Sequence, residues 1–179
     1  KADEMDDWIV VFDKLEAKEG KYAILGNHDY GDYMDWETPQ DKIDNFEKVK
    51  QIHQKIGFDL LLDEHRYIEK EGQKIALLGV ENWGKGFNQA GDLQKASSGI
   101  KKDDFKILMS HDPSHWQEKV KKDNFNYQLT LSGHTHGLQM GIEIPGFLKW
   151  SPSQYVYKQW AGLYQEFGRY INVNRGFGY

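Results

Sequence analysis

The chain has 179 residues, a length that predicts a single domain, over 1–179, with a sizeable hydrophobic core. Its net charge of −5 argues against nonspecific binding to nucleic acid, because a polyanion prefers a basic surface. The absence of cysteine excludes disulfides and thiolate ligands, so any metal must be held by His, Asn, Asp or Glu side chains.

The first third of the chain predicts two helices separated by a short strand. Apolar residues at helical spacing predict a helix over 4–18, with Asp3 as its N-cap and Gly20 as its stop. A buried strand is predicted over 22–25. The Thr-Pro pair at 38–39 predicts the start of a second helix, which ends at a glycine at position 57.

The rest of the chain alternates predicted strands and helices. Strands are predicted over 60–62, 67–70, 74–80, 105–110 and 127–132, and short helices over 89–97 and 113–121. The segment 138–179, rich in glycine and aromatic residues, predicts irregular loops and β-hairpins. This alternation predicts an α/β layered fold, and the hairpin signals indicate a mixed sheet. We expect the strands that end at residues 25, 110 and 132 to share one sheet system.

Three short polar blocks follow predicted strands. They are Gly26-Asn27-His28-Asp29, Ser110-His111-Asp112 and Gly133-His134-Thr135-His136-Gly137. Each block alone has an ordinary explanation: an Asx-type turn, a core histidine and a surface coincidence, respectively. Together they favour metal binding, because histidine and amide ligands at strand ends suit a rigid transition-metal site. The pattern therefore points to metal-assisted cleavage of a phosphate ester.

The first block contains residue types suited to three separate roles. The amide oxygen of Asn27 is a neutral metal ligand. His28 can donate a proton or bind phosphate as a cation. Asp29 can hydrogen-bond the His28 ring, which would fix its tautomer and raise its pKa.

These blocks resemble the calcineurin-like metallophosphoesterase superfamily over roughly residues 5–179. The strings Gly-Asn-His-Asp-Tyr-Gly and Gly-His-Thr-His-Gly-Leu-Gln look most like its bacterial membrane-associated phosphohydrolase branch. The resemblance implies a layered αββα sandwich with mixed sheets. It also implies a membrane-associated full-length protein in which this domain is soluble.

The resemblance further implies a role for each residue of the blocks. Asn27, His111 and His134 match ligands of the second metal, and His136 matches a ligand of the first. His28 matches the acid that protonates the leaving group, with Asp29 as its hydrogen-bond partner. The implied reaction is hydrolysis of a phosphomonoester or phosphodiester, including a lipid-linked one, by a hydroxide activated between two divalent ions. Nitrogen and oxygen ligands bind Mn, Fe, Zn, Co and Ni, so the ligand set does not identify the metal.

The chain also departs from the family pattern. Neither the Asp-x-His nor the Gly-Asp block of the family's first two strands stands ahead of the first polar block: Gly-Asp pairs occur only later, at 31–32 and 91–92, and neither follows a predicted strand. The glycine-rich segment 174–178 resembles the turn before the family's last strands. We therefore expect a truncated catalytic domain, incomplete at both ends, that binds metal poorly, is weakly active or inactive, and self-associates. The alternatives are a catalytically inactive metal-binding or scaffold module, or a nuclease of the same superfamily. The net negative charge of the chain argues against a nuclease and against a specific nucleic-acid partner.

An aromatic segment after the His pair predicts a second kind of contact. Phe147, Leu148 and Trp150 fall in a predicted loop together with a lysine. Tryptophan and tyrosine suit a membrane interface, so this segment is a candidate lipid-facing surface beside the phosphate-ester site. Ordinary packing over a sheet edge is the alternative.

Overall fold

The computed structural model describes residues 1–176, so Phe177 and Gly178 of the predicted glycine-rich turn lie outside the described residues. Within that range the chain forms a mixed α/β fold, as predicted. The helices are α1 (Asp6–Phe12), α2 (Pro39–Lys55), α3 (Leu93–Ala96) and α4 (Pro113–Glu118). The strands are β1 (Tyr22–Ala23), β2 (Asp59–Leu60), β3 (Glu64–Lys70), β4 (Gln73–Gly79), β5 (Phe105–Met109), β6 (Leu129–Ser132), β7 (Ile142–Ile144), β8 (Leu148–Trp150), β9 (Gly162–Glu166) and β10 (Arg169–Val173).

The central sheet has six strands in the order β3-β4-β5-β6-β10-β9. Strands β4, β5, β6 and β10 run parallel, while β3 and β9 pair antiparallel at the two edges. The mixed sheet predicted from the hairpin signals is therefore confirmed. One face of the parallel strands packs in the core, where Leu108, Thr130 and Ile171 are fully buried. The opposite face is partly open, since Phe105 is 48% exposed and Leu131 37% exposed. Core side chains include Ala76, Leu78, Leu108, Trp116, Ile171 and Val173.

The strand predicted to end at residue 25 lies outside this sheet, so the expectation of one shared sheet system is wrong for β1. Strand β1 pairs in parallel with β2 in a separate two-stranded sheet. The two sheets meet at Gly79, where an added Cβ atom would lie 2.4 Å from Cβ of Leu61 and 2.8 Å from Cγ2 of Ile24. The absence of a side chain at Gly79 thus lets the chain after β1 approach the central sheet.

The first helix is shorter than predicted, and the second agrees with the prediction. Helix α1 covers seven residues after a 3-10 turn (Ala2–Met5), and Met5, rather than Asp3, precedes it as the N-cap. None of its residues is buried, so tertiary packing does not extend the helix to residue 18. Helix α2 begins as predicted: the Thr38 hydroxyl accepts a hydrogen bond from the Asp41 N–H, and proline follows the cap.

The C-terminal third forms the predicted hairpins. Strands β7 and β8 make an isolated antiparallel pair, while β9 and β10 form a hairpin that joins the central sheet through β6. The sequence did not indicate that this last hairpin completes the sheet. No helix within residues 1–176 combines the length and apolar character needed to cross a membrane.

Candidate metal centre

Two of the three polar blocks leave neighbouring strands at the same edge of the central sheet. Strands β5 and β6 run in parallel with Met109 opposite Leu131, so His111 and His134 follow side by side. The N–H of Gly133 donates a 2.9 Å hydrogen bond to the carbonyl of His111, which ties the two chain segments together. The third block reaches this edge from the smaller sheet, where Asn27 begins a 3-10 turn (Asn27–Tyr30) after β1.

Three side chains from these blocks converge. The Asn27 Oδ1 atom lies 3.0 Å from Nε2 of His111 and 3.0 Å from Nδ1 of His134. The two ring nitrogens are 3.3 Å apart. Asn27 is buried, at 4% exposure, while His111 and His134 are partly exposed.

A glycine allows the close approach of Asn27 to His111. An added Cβ atom at Gly26 would lie 2.8 Å from both Cε1 and Nε2 of the His111 ring. Real Cβ atoms do not come this close to a ring, so any larger residue would displace the imidazole. The backbone of Gly26 is extended, with φ of −105°, so space rather than backbone conformation requires glycine here.

The cluster fits one metal ion. Donor atoms about 2.0–2.1 Å from a metal lie roughly 3.0–3.4 Å from one another, which matches the three separations. Burial, with a smaller contribution from the charge of His134, lowers the pKa of His111 to about 3, so its ring is neutral and can offer a lone pair. Among residues 1–176, no group of three or more His, Cys, Asp or Glu side chains could hold a metal, so the site depends on the Asn27 amide.

The far side of the His134 ring faces two polar groups that sequence reasoning did not assign to the site. Its Nε2 atom lies 2.7 Å from the hydroxyl of Tyr157 and 3.4 Å from Oδ2 of Asp112. Asp112 belongs to the second polar block but was not predicted as a site residue, and it caps α4 through Oδ1, which accepts from the Ser114 N–H at 2.7 Å. The only sequence signal that could have assigned Asp112 to the site was its position directly after His111. No such signal in the sequence indicated Tyr157.

The two predicted catalytic residues follow Asn27 in the chain, and only Asp29 has a partner other than the expected one. His28 is exposed, and its ring stacks on Tyr33 with centroids 4.6 Å apart. The Tyr33 hydroxyl accepts a 2.9 Å hydrogen bond from the Asn27 amide, which links His28 to the cluster. Asp29 was expected to hydrogen-bond His28, but its Oδ2 instead accepts from the Gly26 N–H at 2.7 Å. Burial raises the pKa of Asp29, and its carboxylate closes the turn that presents Asn27.

His136 lies beside the cluster rather than in it. Its exposed ring lines a cavity of about 560 Å³ together with Trp150, Trp160 and Arg175. Its charge lowers the pKa of His111, which indicates proximity. Within the described residues, no hydrogen bond joins its side chain to those of Asn27, His111 or His134.

Comparisons with known proteins agree with this fold and these blocks. The family model for calcineurin-like phosphoesterases matches residues 3–138. The chain is 30% identical over 167 residues to the uncharacterized metallophosphoesterase YkuE of Bacillus subtilis (strain 168), covering 92% of this chain and 51% of YkuE. It is 27% identical over 128 residues to the uncharacterized metallophosphoesterase YkoQ of the same organism, covering 71% of this chain and 41% of YkoQ. It is 29% identical over 143 residues to the putative metallophosphoesterase F40B5.2 of Caenorhabditis elegans, covering 73% of this chain and 26% of that protein.

The chain therefore belongs to the calcineurin-like phosphoesterase family, as the sequence blocks indicated. This family hydrolyses phosphate esters and generally uses divalent metals. The chain spans about half the length, or less, of these three curated relatives. No solved structure gives a significant match.

Proposed function

We propose that this chain supplies a metal-binding part of a phosphate-ester hydrolase, in which Asn27, His111 and His134 hold one divalent ion. The convergence of their three donor atoms within 3.0–3.3 Å is the observation that carries the proposal. Family membership supports the reaction class. The ion would be Mn, Fe, Zn, Co or Ni, since neutral N and O ligands admit all of these.

Each residue of the site has a defined task in this proposal. A bound divalent ion supplies Lewis acidity, which polarises a phosphoryl oxygen and lowers the pKa of water. Asn27 joins the turn of the smaller sheet to the two histidines of the central sheet. His28, stacked on Tyr33 next to Asn27, stabilises charge on the leaving oxygen or gives it a proton. Asp29 holds the turn that presents Asn27, through the Gly26 N–H, in place of its predicted role as the partner of His28.

We propose further that the full centre holds two ions, with His136 contributing to the other one. The exposed ring of His136, which lines a cavity beside the cluster, is suited to that position. A second ion needs ligands in addition to His136. This requirement supports the expectation that the 179-residue chain alone binds metal weakly.

The proposed substrate is a phosphate ester, with a lipid-linked ester as one candidate. The hairpin of β7 and β8 supports this candidate, because Phe147 is 84% exposed and Leu148 41% exposed at its tip. Apolar side chains on an exposed hairpin are typical of contact with lipid or another apolar surface.

Hydrolysis and metal binding, measured on the same preparation, test the proposal. We expect Mn²⁺-dependent cleavage of bis-p-nitrophenyl phosphate or p-nitrophenyl phosphate by the protein that carries this chain, abolished by EDTA. Calorimetry on the Asn27→Ala variant should show at least a tenfold loss of metal affinity. The exposed Asn124 provides the control variant Asn124→Ala, which should bind normally.

The same measurements separate the alternatives. Metal binding without hydrolysis of any ester would support a metal-binding scaffold instead of an enzyme. Preferential cleavage of DNA or RNA would support the nuclease. Unchanged metal affinity in Asn27→Ala would remove the three-residue cluster from the metal site.

A further inference from the structure

The two ring nitrogens of His134 face different surroundings. Nδ1 faces the cluster, 3.0 Å from Oδ1 of Asn27, while Nε2 lies 2.7 Å from the Tyr157 hydroxyl. A neutral imidazole carries a proton on one nitrogen and a lone pair on the other. The contacts on the Nε2 side therefore decide whether Nδ1 is free to bind a metal.

A buried carboxylate lies on the same side as Tyr157. Asp112 is 0% exposed, and within the described residues its Oδ2 atom has no hydrogen-bond partner. This oxygen is 3.4 Å from His134 Nε2, close enough for a charge interaction although not aligned for a hydrogen bond. An added Cβ atom at Gly84 would lie 2.5 Å from it, so the carboxylate occupies space that only a glycine leaves open.

These contacts favour one arrangement of protons. An N–H at Nε2 points toward the buried negative charge and can donate to the Tyr157 oxygen. A lone pair at Nε2 would instead face that charge, which costs free energy in a buried site. On the opposite side, an Nε2–H of His111 can donate both to Oδ1 of Asn27 at 3.0 Å and to Nδ1 of His134 at 3.3 Å, so the Asn27 oxygen needs no proton from His134. A hydrogen-bond acceptor beside the distal nitrogen of a ligand histidine also makes the histidine a stronger metal ligand.

We propose that Tyr157 and Asp112 are positioning residues that hold His134 in its Nε2–H tautomer, with the Nδ1 lone pair directed toward Asn27 and His111. The inference rests on the proposed metal site at these three residues. It adds two residues to that site. Tyr157 lies outside the polar blocks, and Asp112 lies in the second block but was not predicted as a metal ligand.

Tyr157 comes from the part of the chain beyond the matched family region, which ends at residue 138. It follows a 3-10 turn (Pro152–Tyr155), and its N–H donates a 2.8 Å hydrogen bond to the Ser153 carbonyl. Ser153 is itself buried, so the turn fixes the backbone from which the tyrosine reaches His134. The segment after the His pair thus contributes directly to the site.

Nitrogen-15 NMR of the histidine rings tests the tautomer in the metal-free chain, and calorimetry with Zn²⁺ and Mn²⁺ tests its consequence. We expect wild-type His134 to carry its proton on Nε2. Tyr157→Phe removes the hydroxyl and should increase the Nδ1–H form. Asp112→Asn removes the charge but keeps a residue that caps α4. Each variant should lose roughly 10- to 100-fold in metal affinity.

The 78% exposed Tyr155 provides a matched control, since Tyr155→Phe removes the same hydroxyl away from His134. An Nδ1–H tautomer in the wild type would overturn the inference, as would equal affinity losses in Tyr155→Phe and Tyr157→Phe. If the wild-type chain binds neither metal, the proposed function fails, while the NMR result still decides the inference about His134. An unshifted melting temperature in Tyr157→Phe and Asp112→Asn confirms that the variants are folded.

Discussion

The exposed imidazole of His28 follows Asn27 of the proposed metal site in the chain, and in the proposed function it acts on substrate without holding the ion. We predict that His28→Ala lowers turnover by about 100-fold or more on an ester with a poor leaving group, the usual effect of losing proton transfer or charge stabilisation. Metal affinity by calorimetry should stay unchanged. Wild-type turnover in the variant would remove His28 from the mechanism.

His115 is a second buried histidine, and its protonation should make stability depend on pH. Its Nδ1 atom lies 2.8 Å from the Ser110 hydroxyl, its Nε2 atom is buried, and its ring stacks on Trp83. Burial lowers its pKa from 6.5 to about 3. Between these values the unfolded chain binds more protons than the folded chain, so the free energy of unfolding falls as pH decreases through this window.

We predict that His115→Gln flattens this pH dependence between pH 6.5 and pH 4. A single proton contributes at most about 1.4 kcal/mol of unfolding free energy per pH unit, which sets the largest expected difference in slope. Urea unfolding at several pH values measures it. The variant at the exposed His136, His136→Gln, is the control. Equal slopes in wild type and His115→Gln would show that His115 does not carry this dependence.

At the scale of elements, the turn after β1 and the turn after β6 offer a matched comparison. Each turn has a glycine directly before a site residue, and neither of these two glycines has a positive φ. Only Gly26 lies against the His111 ring. An added Cβ atom at Gly133 would have no neighbour closer than 3.9 Å. We predict that Gly26→Ala displaces His111, costs about 1–3 kcal/mol of stability and weakens metal binding, whereas Gly133→Ala does neither. Similar calorimetric affinities in the two variants would contradict this.

The hairpin of β7 and β8 is where we place contact with lipid. Phe147 is 84% exposed at its tip, and Phe167, in the turn between β9 and β10, is 79% exposed. We predict that Phe147→Ser lowers binding to phospholipid vesicles by roughly tenfold, since burial of a phenylalanine side chain in an apolar medium stabilises by about 1.5–3 kcal/mol. Phe167→Ser should leave binding unchanged.

Cosedimentation with vesicles of phosphatidylcholine and phosphatidylglycerol measures both variants. Equal losses in the two would assign the effect to general surface hydrophobicity. Absence of wild-type binding would refute the lipid contact and leave packing against protein as the role of the hairpin.

At the scale of the whole molecule, apolar side chains on α1 are available to a second copy. Trp8 is 56% exposed and Val11 51% exposed, one turn apart on a helix without a buried residue. Edge strands β3 and β9 also end the central sheet. Exposed apolar faces and sheet edges favour association. We therefore predict that the 179-residue chain self-associates as its concentration rises.

Light scattering over a concentration series measures this prediction. The double variant Trp8→Lys, Val11→Lys should shift the series toward the monomer if α1 forms the contact. A wild-type chain that stays monomeric and melts cooperatively at high concentration would contradict the prediction.

The sequence by itself determined the local features of the site. The sequence alone shows the polar blocks at 26–29, 110–112 and 133–137. It also predicts the fold class, the mixed sheet and the start of α2, because each of these depends on short-range signals. Apolar runs mark strands, and a Thr-Pro pair marks a helix start. Neighbouring parallel strands then bring His111 and His134 together, since their carboxyl ends share one edge of the sheet.

Only the tertiary structure decided which distant groups complete the site. It placed β1 in a separate sheet, gave Asp29 the Gly26 N–H as its partner and brought Tyr157 to His134. It also left Trp8 exposed, although its helical spacing is that of a core face. These outcomes depend on contacts between segments far apart in the chain. Packing selects such contacts among many alternatives, and no periodic pattern in the sequence records the choice.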